Sequence, residues 1–276
     1  MPATSPSIVP LAGAESGSGP VLMLLHDLGS NRSIWRWQAS GGLSNLRVVT
    51  VDLAGHGESP PPPPDLAYAP QYHARDVLNF MDAKGIRGAW VLGLGLGGFV
   101  ALSLALNSPQ RILGQILVGT ASHCDKFTRG VYQEWLRIAE EEGTEAFLDR
   151  QLKDVFHPDF LLENLDDLLQ FRDAQAGTDL RPVRPSLLGA ASFDARSSLH
   201  RITVPTLVIH GMEDRVFDTT HARVTRQSIA GSQMKLYPFG GHMVSAERAA
   251  EFNELVQAYI LEGRKPDADP AHTPST

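Results

Sequence analysis

The chain has 276 residues, 42% of them hydrophobic and 20% charged, with a formal net charge of −7 at pH 7. That is enough chain for a large core in one α/β domain with an insertion, and the acidic balance leaves no basic footprint for nucleic acid. A single cysteine, Cys124, excludes an intrachain disulfide framework and fits a reducing, cytoplasmic setting, and no apolar run approaches the roughly 20 residues needed to cross a bilayer.

Residues 1–19 are rich in Pro, Ser, Ala and Gly and are expected to be partly disordered. Pro20 to Leu25 is a continuous apolar run, the pattern of a strand buried on both faces. It ends in the polar turn His26-Asp27-Leu28-Gly29-Ser30-Asn31. Leu46 to Val51 is a second buried strand, leading into the glycine turn Asp52 to Ser59. The proline run Pro60 to Pro64 reads as a stiff surface loop. Tyr72 to Ala83 has helical spacing, with Ala74, Val77, Leu78 and Met81 on one face. Ala89 to Leu92 is a short strand, Gly93 to Gly98 a glycine-rich turn, and Phe99 to Asn107 an apolar helix with Pro109 just past its end. Leu113 to Val118 is the next strand.

From about His123 to Ser198 strands give way to charged amphipathic helices, expected over Val131 to Glu142, Thr144 to Val155 and Phe160 to Ala174. Buried strands resume at Thr206 to Ile209 and Met234 to Tyr237, followed by the turns Gly211-Met212-Glu213-Asp214 and Gly240-Gly241-His242. Ala246 to Leu261 is a closing helix, and residues 262–276 have the composition of a disordered tail. Alternating buried strands and helices predict an α/β fold, with a mostly parallel central sheet flanked by helices. Residues 20–122 and 199–261 would form the core, with 123–198 as a helical cap insertion. The turns that follow the strands should gather at one sheet edge, where sites of such folds lie.

Five segments in order, LLHDLG at 24–29, DLAGHGES at 52–59, VLGLGLGG at 91–98, PTLVIHGMED at 205–214 and GGHMVSAERAAEFN at 240–253, resemble the α/β-hydrolase superfamily. The similarity is nearest to its capped lactonases, esterases and carbon–carbon bond hydrolases. The resemblance implies a catalytic His242 oriented by Asp214, and an oxyanion hole formed by the backbone N–H groups of Leu28 and Leu96. The nucleophile elbow, G-x-S-x-G on a sharp strand-to-helix turn, aligns with Gly93-Leu94-Gly95-Leu96-Gly97. Gly95 therefore stands where that family has its serine, and no acyl-enzyme can form there. A second departure is Asp27, where the family usually has glycine. Asp is among the side chains that tolerate a left-handed backbone, and its carboxylate would weaken an oxyanion hole unless it points away.

Other candidates have plainer readings. Asp214 also suits the N-cap of a helix starting near Asp218. His26 and His56 belong to structural turns, Ser103 is buried two helical turns beyond the elbow, and Cys124, beside His123, reads as a small buried side chain. The pattern G-x-G-x-x-G at 93–98 matches a dinucleotide fingerprint. It lies late in the strand order, however, and the next strand ends without the expected acid. No cofactor or metal is expected, and the partner is a small molecule. Three functions remain: a hydrolase or lyase using a His242–Asp214 dyad, with a water above Gly95 or by taking a proton directly from the substrate, a non-catalytic binding protein, and a serine hydrolase inactivated at its nucleophile.

Overall fold

The computed structural model describes residues 6–173 and 180–262. The expected tail from 263 onward, the first five residues and Ala174 lie outside the described residues. Among the described residues seven strands form one sheet: β1 (Gly13–Ser16), β2 (Val21–Leu25), β3 (Arg47–Val51), β4 (Ala89–Leu94), β5 (Ile112–Val118), β6 (Thr206–Gly211) and β7 (Gln233–Tyr237). Their order is β1-β3-β2-β4-β5-β6-β7, with only the β1–β3 pair antiparallel.

β1 is absent from the sequence reading. GAES has no hydrophobic signature, and its burial shows why: it is an edge strand exposed over most of its length, ordered by its ladder with β3. The central strands behave as their composition dictates. Residues 22–25 of β2 and all of β6 are buried, because helices cover both faces of a parallel sheet.

The helices are α1 (Arg36–Ala39), α2 (Pro70–Ala83), α3 (Leu96–Asn107), α4 (Lys126–Glu141), α5 (Thr144–Val155), α6 (Pro158–Glu163), α7 (Leu165–Asp173), α8 (Arg184–Ala191), α9 (Thr219–Ser228), α10 (Val244–Glu247) and α11 (Ala249–Glu262). α3 is apolar all round and is buried from Leu96 to Ala105, as a helix enclosed by sheet and neighbours must be. The stretch expected as one helix from Phe160 is two, α6 and α7, meeting at Asn164, whose side-chain amide donates to the Phe160 carbonyl.

The helices α4 to α8 all lie between β5 and β6. Where this excursion leaves and returns, His123 bridges Asp194, Cys124 N–H donates to the Phe193 carbonyl and Ala195 N–H to the Ser122 carbonyl. The helical segment is also tied to loops at the carboxyl ends of the strands. Gln151 donates to the Leu28 carbonyl at 2.9 Å, Thr128 to the Val216 carbonyl at 2.9 Å, and Met243 N–H to the Val155 carbonyl at 2.9 Å.

Candidate active site

The chain runs from β2 outward to β3, then crosses to β4 on the other side of β2. That reversal creates a crevice at the carboxyl ends of β2 and β4, where ligands of open α/β sheets bind. The ladder pairs Leu25 with Gly93. Two residues further along each strand, Asp27 comes to lie beside Gly95.

The turn at the end of β4 is tighter than the expected six-residue glycine loop. β4 continues to Leu94 and α3 begins at Leu96, so Gly95 alone makes the turn, at φ 51° and ψ −112°. Only glycine occupies that region without strain. Its N–H donates to the Val118 carbonyl at 3.2 Å, and its carbonyl accepts from the Thr120 hydroxyl at 2.8 Å. The neighbouring glycines are required by packing. A Cβ on Gly97 would lie 2.1 Å from the Leu25 carbonyl oxygen, and one on Gly98 would lie 2.5 Å from the Thr120 side chain. Close seating of α3 on β2 and β5 thus accounts for the G-x-G-x-x-G pattern.

The space above Gly95 is not open, contrary to the expectation of a water there. A Cβ on Gly95 would lie 1.9 Å from Oδ1 of Asp27. The Asp27 carboxylate does not point away: its Oδ1 accepts from Leu96 N–H at 2.7 Å, and its Oδ2 lies 3.1 Å from His242 Nε2. One carboxylate therefore occupies both the position of a side chain at residue 95 and the Leu96 amide expected to serve an oxyanion. The left-handed residue of this loop is Gly29, at φ 69°, and every positive φ among the described residues belongs to glycine, so Asp27 needs no strained backbone.

The loop is pinned from below. His26 Nε2 accepts from Leu53 N–H at 2.9 Å, so its proton is on Nδ1, which donates to the Asp27 carbonyl at 2.7 Å. Burial lowers the His26 pKa to about 4 and that of His56 to about 3, which keeps both rings neutral and structural. Ser30 Oγ donates to the same Asp27 carbonyl at 2.8 Å.

Asp214 follows β6 and divides its oxygens between two tasks. Oδ1 accepts from Val216 N–H at 2.7 Å and Phe217 N–H at 2.9 Å, closing the local turn, while Oδ2 lies 2.9 Å from His242 Nδ1. The helix N-cap is instead Asp218, which accepts from Thr220 N–H at the start of α9. Neighbouring His210 donates from Nε2 to the Phe217 carbonyl at 2.9 Å, and burial lowers its pKa.

His242 follows β7 and is fully buried, stacked on Phe217 with ring centroids 5.9 Å apart. Both ring nitrogens face carboxylate oxygens, which can only accept, so the ring carries a proton on each. Burial opposes that charge, but Asp214 and Asp27 more than offset it and push the pKa up to about 10. Burial likewise opposes ionisation of Asp214, and His242, with the Phe217 amide, holds its pKa below the usual carboxylate value.

A pocket with about 560 Å³ of empty volume, the solvent at its mouth included, opens onto Asp27 and His242. Ile34, Trp37, Leu148, Val155, Phe156 and Met243 make most of its wall apolar. Its other polar side chains make contacts of their own: Ser30 with Asp27, Gln151 with Leu28, and Arg172 through Nη1 with Asp149 at 2.9 Å, while the buried Nε of Arg172 has no hydrogen-bond partner among the described residues. Leu28 follows Asp27 in the same loop, and Ser103 is buried with its hydroxyl donating to the Phe99 carbonyl at 2.9 Å. Cys124 lies outside this constellation, its thiol pKa pushed up to about 12 by burial. The residue whose importance the sequence understated is Asp27. The signal was available, since two unusual residues occur at strand ends whose ladder makes them neighbours.

The sequence matches the alpha/beta hydrolase fold family over residues 20–249, and the chain belongs to that family. Among solved structures it is similar to the enol-lactonase of Burkholderia xenovorans LB400, with 28% identity, a TM-score of 0.83, and coverage of 91% of this chain and 96% of that one. A hydrolase of Pseudomonas aeruginosa PA01 is 31% identical, with a TM-score of 0.81 and coverage of 91% and 94%. The 2-hydroxymuconate semialdehyde hydrolase of Pseudomonas sp. (strain CF600) is 28% identical over 262 residues, 90% of this chain and 89% of that protein. No described helix is long and apolar enough to cross a membrane.

Proposed function

We propose that this protein is a hydrolase of small, largely apolar molecules that works from the His242–Asp214 pair without a serine acyl-enzyme. The observation that carries this reading is the buried row Asp214–His242–Asp27, with spacings of 2.9 and 3.1 Å, at the floor of an apolar pocket. A buried imidazolium between two carboxylates is poised to give a proton to a substrate and take it back. Relatives named as a lactonase and as hydrolases support the reaction class. The filled space at Gly95 argues against a side-chain hydroxyl or a resident water acting there.

A panel of small esters, lactones, epoxides and aryl diketones tests this reading, assayed with the unaltered protein and with His242→Ala. Turnover that disappears in the variant is the expected result. Pocket ligands that raise the melting temperature by mass action while no panel member is turned over would select the binding-protein reading instead.

A further inference from the structure

The Asp27 carboxylate takes the place that a side chain at residue 95 would fill, and its two oxygens are held unequally. Oδ1 is fixed on the Leu96 amide at 2.7 Å, whereas Oδ2 faces His242 Nε2 at 3.1 Å where the pocket begins. We propose that Asp27 is the nucleophile of this protein and that its substrates are small apolar epoxides, which become diols. This inference rests on the hydrolase reading above.

The oxygen positions select the electrophile. Attack on an acyl carbon creates an oxyanion that needs the Leu96 amide, and Oδ1 already occupies that amide. Attack on a saturated carbon creates no tetrahedral oxyanion at the attacked carbon; the charge develops on the leaving oxygen instead, so the filled Leu96 site is no obstacle. A saturated carbon carrying a poor oxygen leaving group needs a proton donor beside the nucleophile. His242 supplies one, with a proton on Nε2, and Asp214 on Nδ1 stabilises the charged ring. An epoxide bears its electrophilic carbon and its leaving oxygen as neighbouring atoms, matching the neighbouring Oδ2 and Nε2.

The steps balance. Oδ2 forms a bond to a ring carbon while that carbon's bond to the ring oxygen breaks, and the oxygen takes the Nε2 proton. The result is a hydroxyalkyl ester of Asp27 and a neutral His242. A water then gives a proton to Nε2 and its oxygen to Cγ of Asp27. The negative charge falls on Oδ1, which the Leu96 amide already holds. Collapse expels the second hydroxyl of the diol, protonated by His242, and the new carboxylic acid returns its proton to the ring. Carboxylate and imidazolium are restored, and one epoxide and one water have become one diol.

The test is turnover of p-nitrostyrene oxide by the full chain in H2¹⁸O, followed by mass spectrometry of the peptide that contains Asp27. Diol formation with ¹⁸O gained in that peptide, and a first turnover whose diol carries none, is the expected result. Asp27→Asn, checked for folding by circular dichroism, should lose at least a hundredfold in rate. Diol formation with an unlabelled peptide would overturn the nucleophile assignment and leave the hydrolase reading standing. No diol, together with His242-dependent turnover of an ester or lactone, would also overturn this inference alone. No turnover of any of these compounds would remove both.

Discussion

The contact between residue 95 and Asp27 can be weighed by substitution. Gly95→Ala places a Cβ at a positive-φ position, which costs on the order of 1–3 kcal/mol in backbone strain. The same Cβ evicts the Asp27 carboxylate, 1.9 Å away, from the Leu96 amide. A hydrogen bond to a charged group contributes about 1.5–3 kcal/mol, so the expected total is about 3–6 kcal/mol. At about 2–4 °C per kcal/mol for a chain of this size, the melting temperature should fall by on the order of 10 °C. In an Asp27→Gly background the same substitution should cost only the strain, leaving about 1.5–3 kcal/mol of coupling in a double-mutant cycle. Differential scanning calorimetry of the four proteins measures it. Additive effects would refute the claim that Asp27 fills this space. The cycle has a catalytic counterpart. Gly95→Ser alone should give no burst with p-nitrophenyl acetate, because Asp27 intervenes between hydroxyl and imidazole. Gly95→Ser with Asp27→Gly should acquire one, since His242, Asp214 and the Leu96 amide then surround a serine. A burst from the single variant would sink the reasoning.

Other expectations follow from the same geometry. His242 has a folded pKa raised to about 10, so its charged contacts stabilise the fold fully below its unfolded pKa of about 6.5, and that contribution is lost as pH rises toward 10. Thermal melts between pH 6 and 10.5 should show this decline, and Asp27→Asn should move it to lower pH. Asp214→Asn should cost about 10²–10⁴-fold in any His242-dependent turnover by mis-setting the imidazole, with a smaller effect on KM. The buried Cys124 thiol should resist dithionitrobenzoate in the native protein and react stoichiometrically on unfolding, as its raised pKa implies. Leu102→Ala, a fully buried side chain of α3, should destabilise by about 2–5 kcal/mol in urea melts with an unchanged m-value.

Patterning alone carried most of the fold. Short, mostly apolar runs marked β2 to β7, the continuous one at β2 because a strand covered on both faces has no polar face, and the helix over 144–155 was legible to the residue. β1 was hidden because an exposed edge strand has no hydrophobic pattern; its ladder partner supplies the order. Local sequence also marked His242, Asp214 and Gly95, each in a turn after a strand.

What a turn contains does not say where its side chains point. Asp27 and Gly95 are 68 positions apart, and only the ladder between β2 and β4, two residues back, makes them neighbours. The sequence marks Gly95 as a missing side chain and Asp27 as a tolerated exception. Tertiary structure makes them one feature, because two atoms cannot share the volume above Gly95: the carboxylate fits there only where residue 95 has no Cβ. The charge on His242 has the same origin. An isolated histidine titrates near neutrality, and here two carboxylates brought from separate strand ends in a water-poor interior hold its second proton.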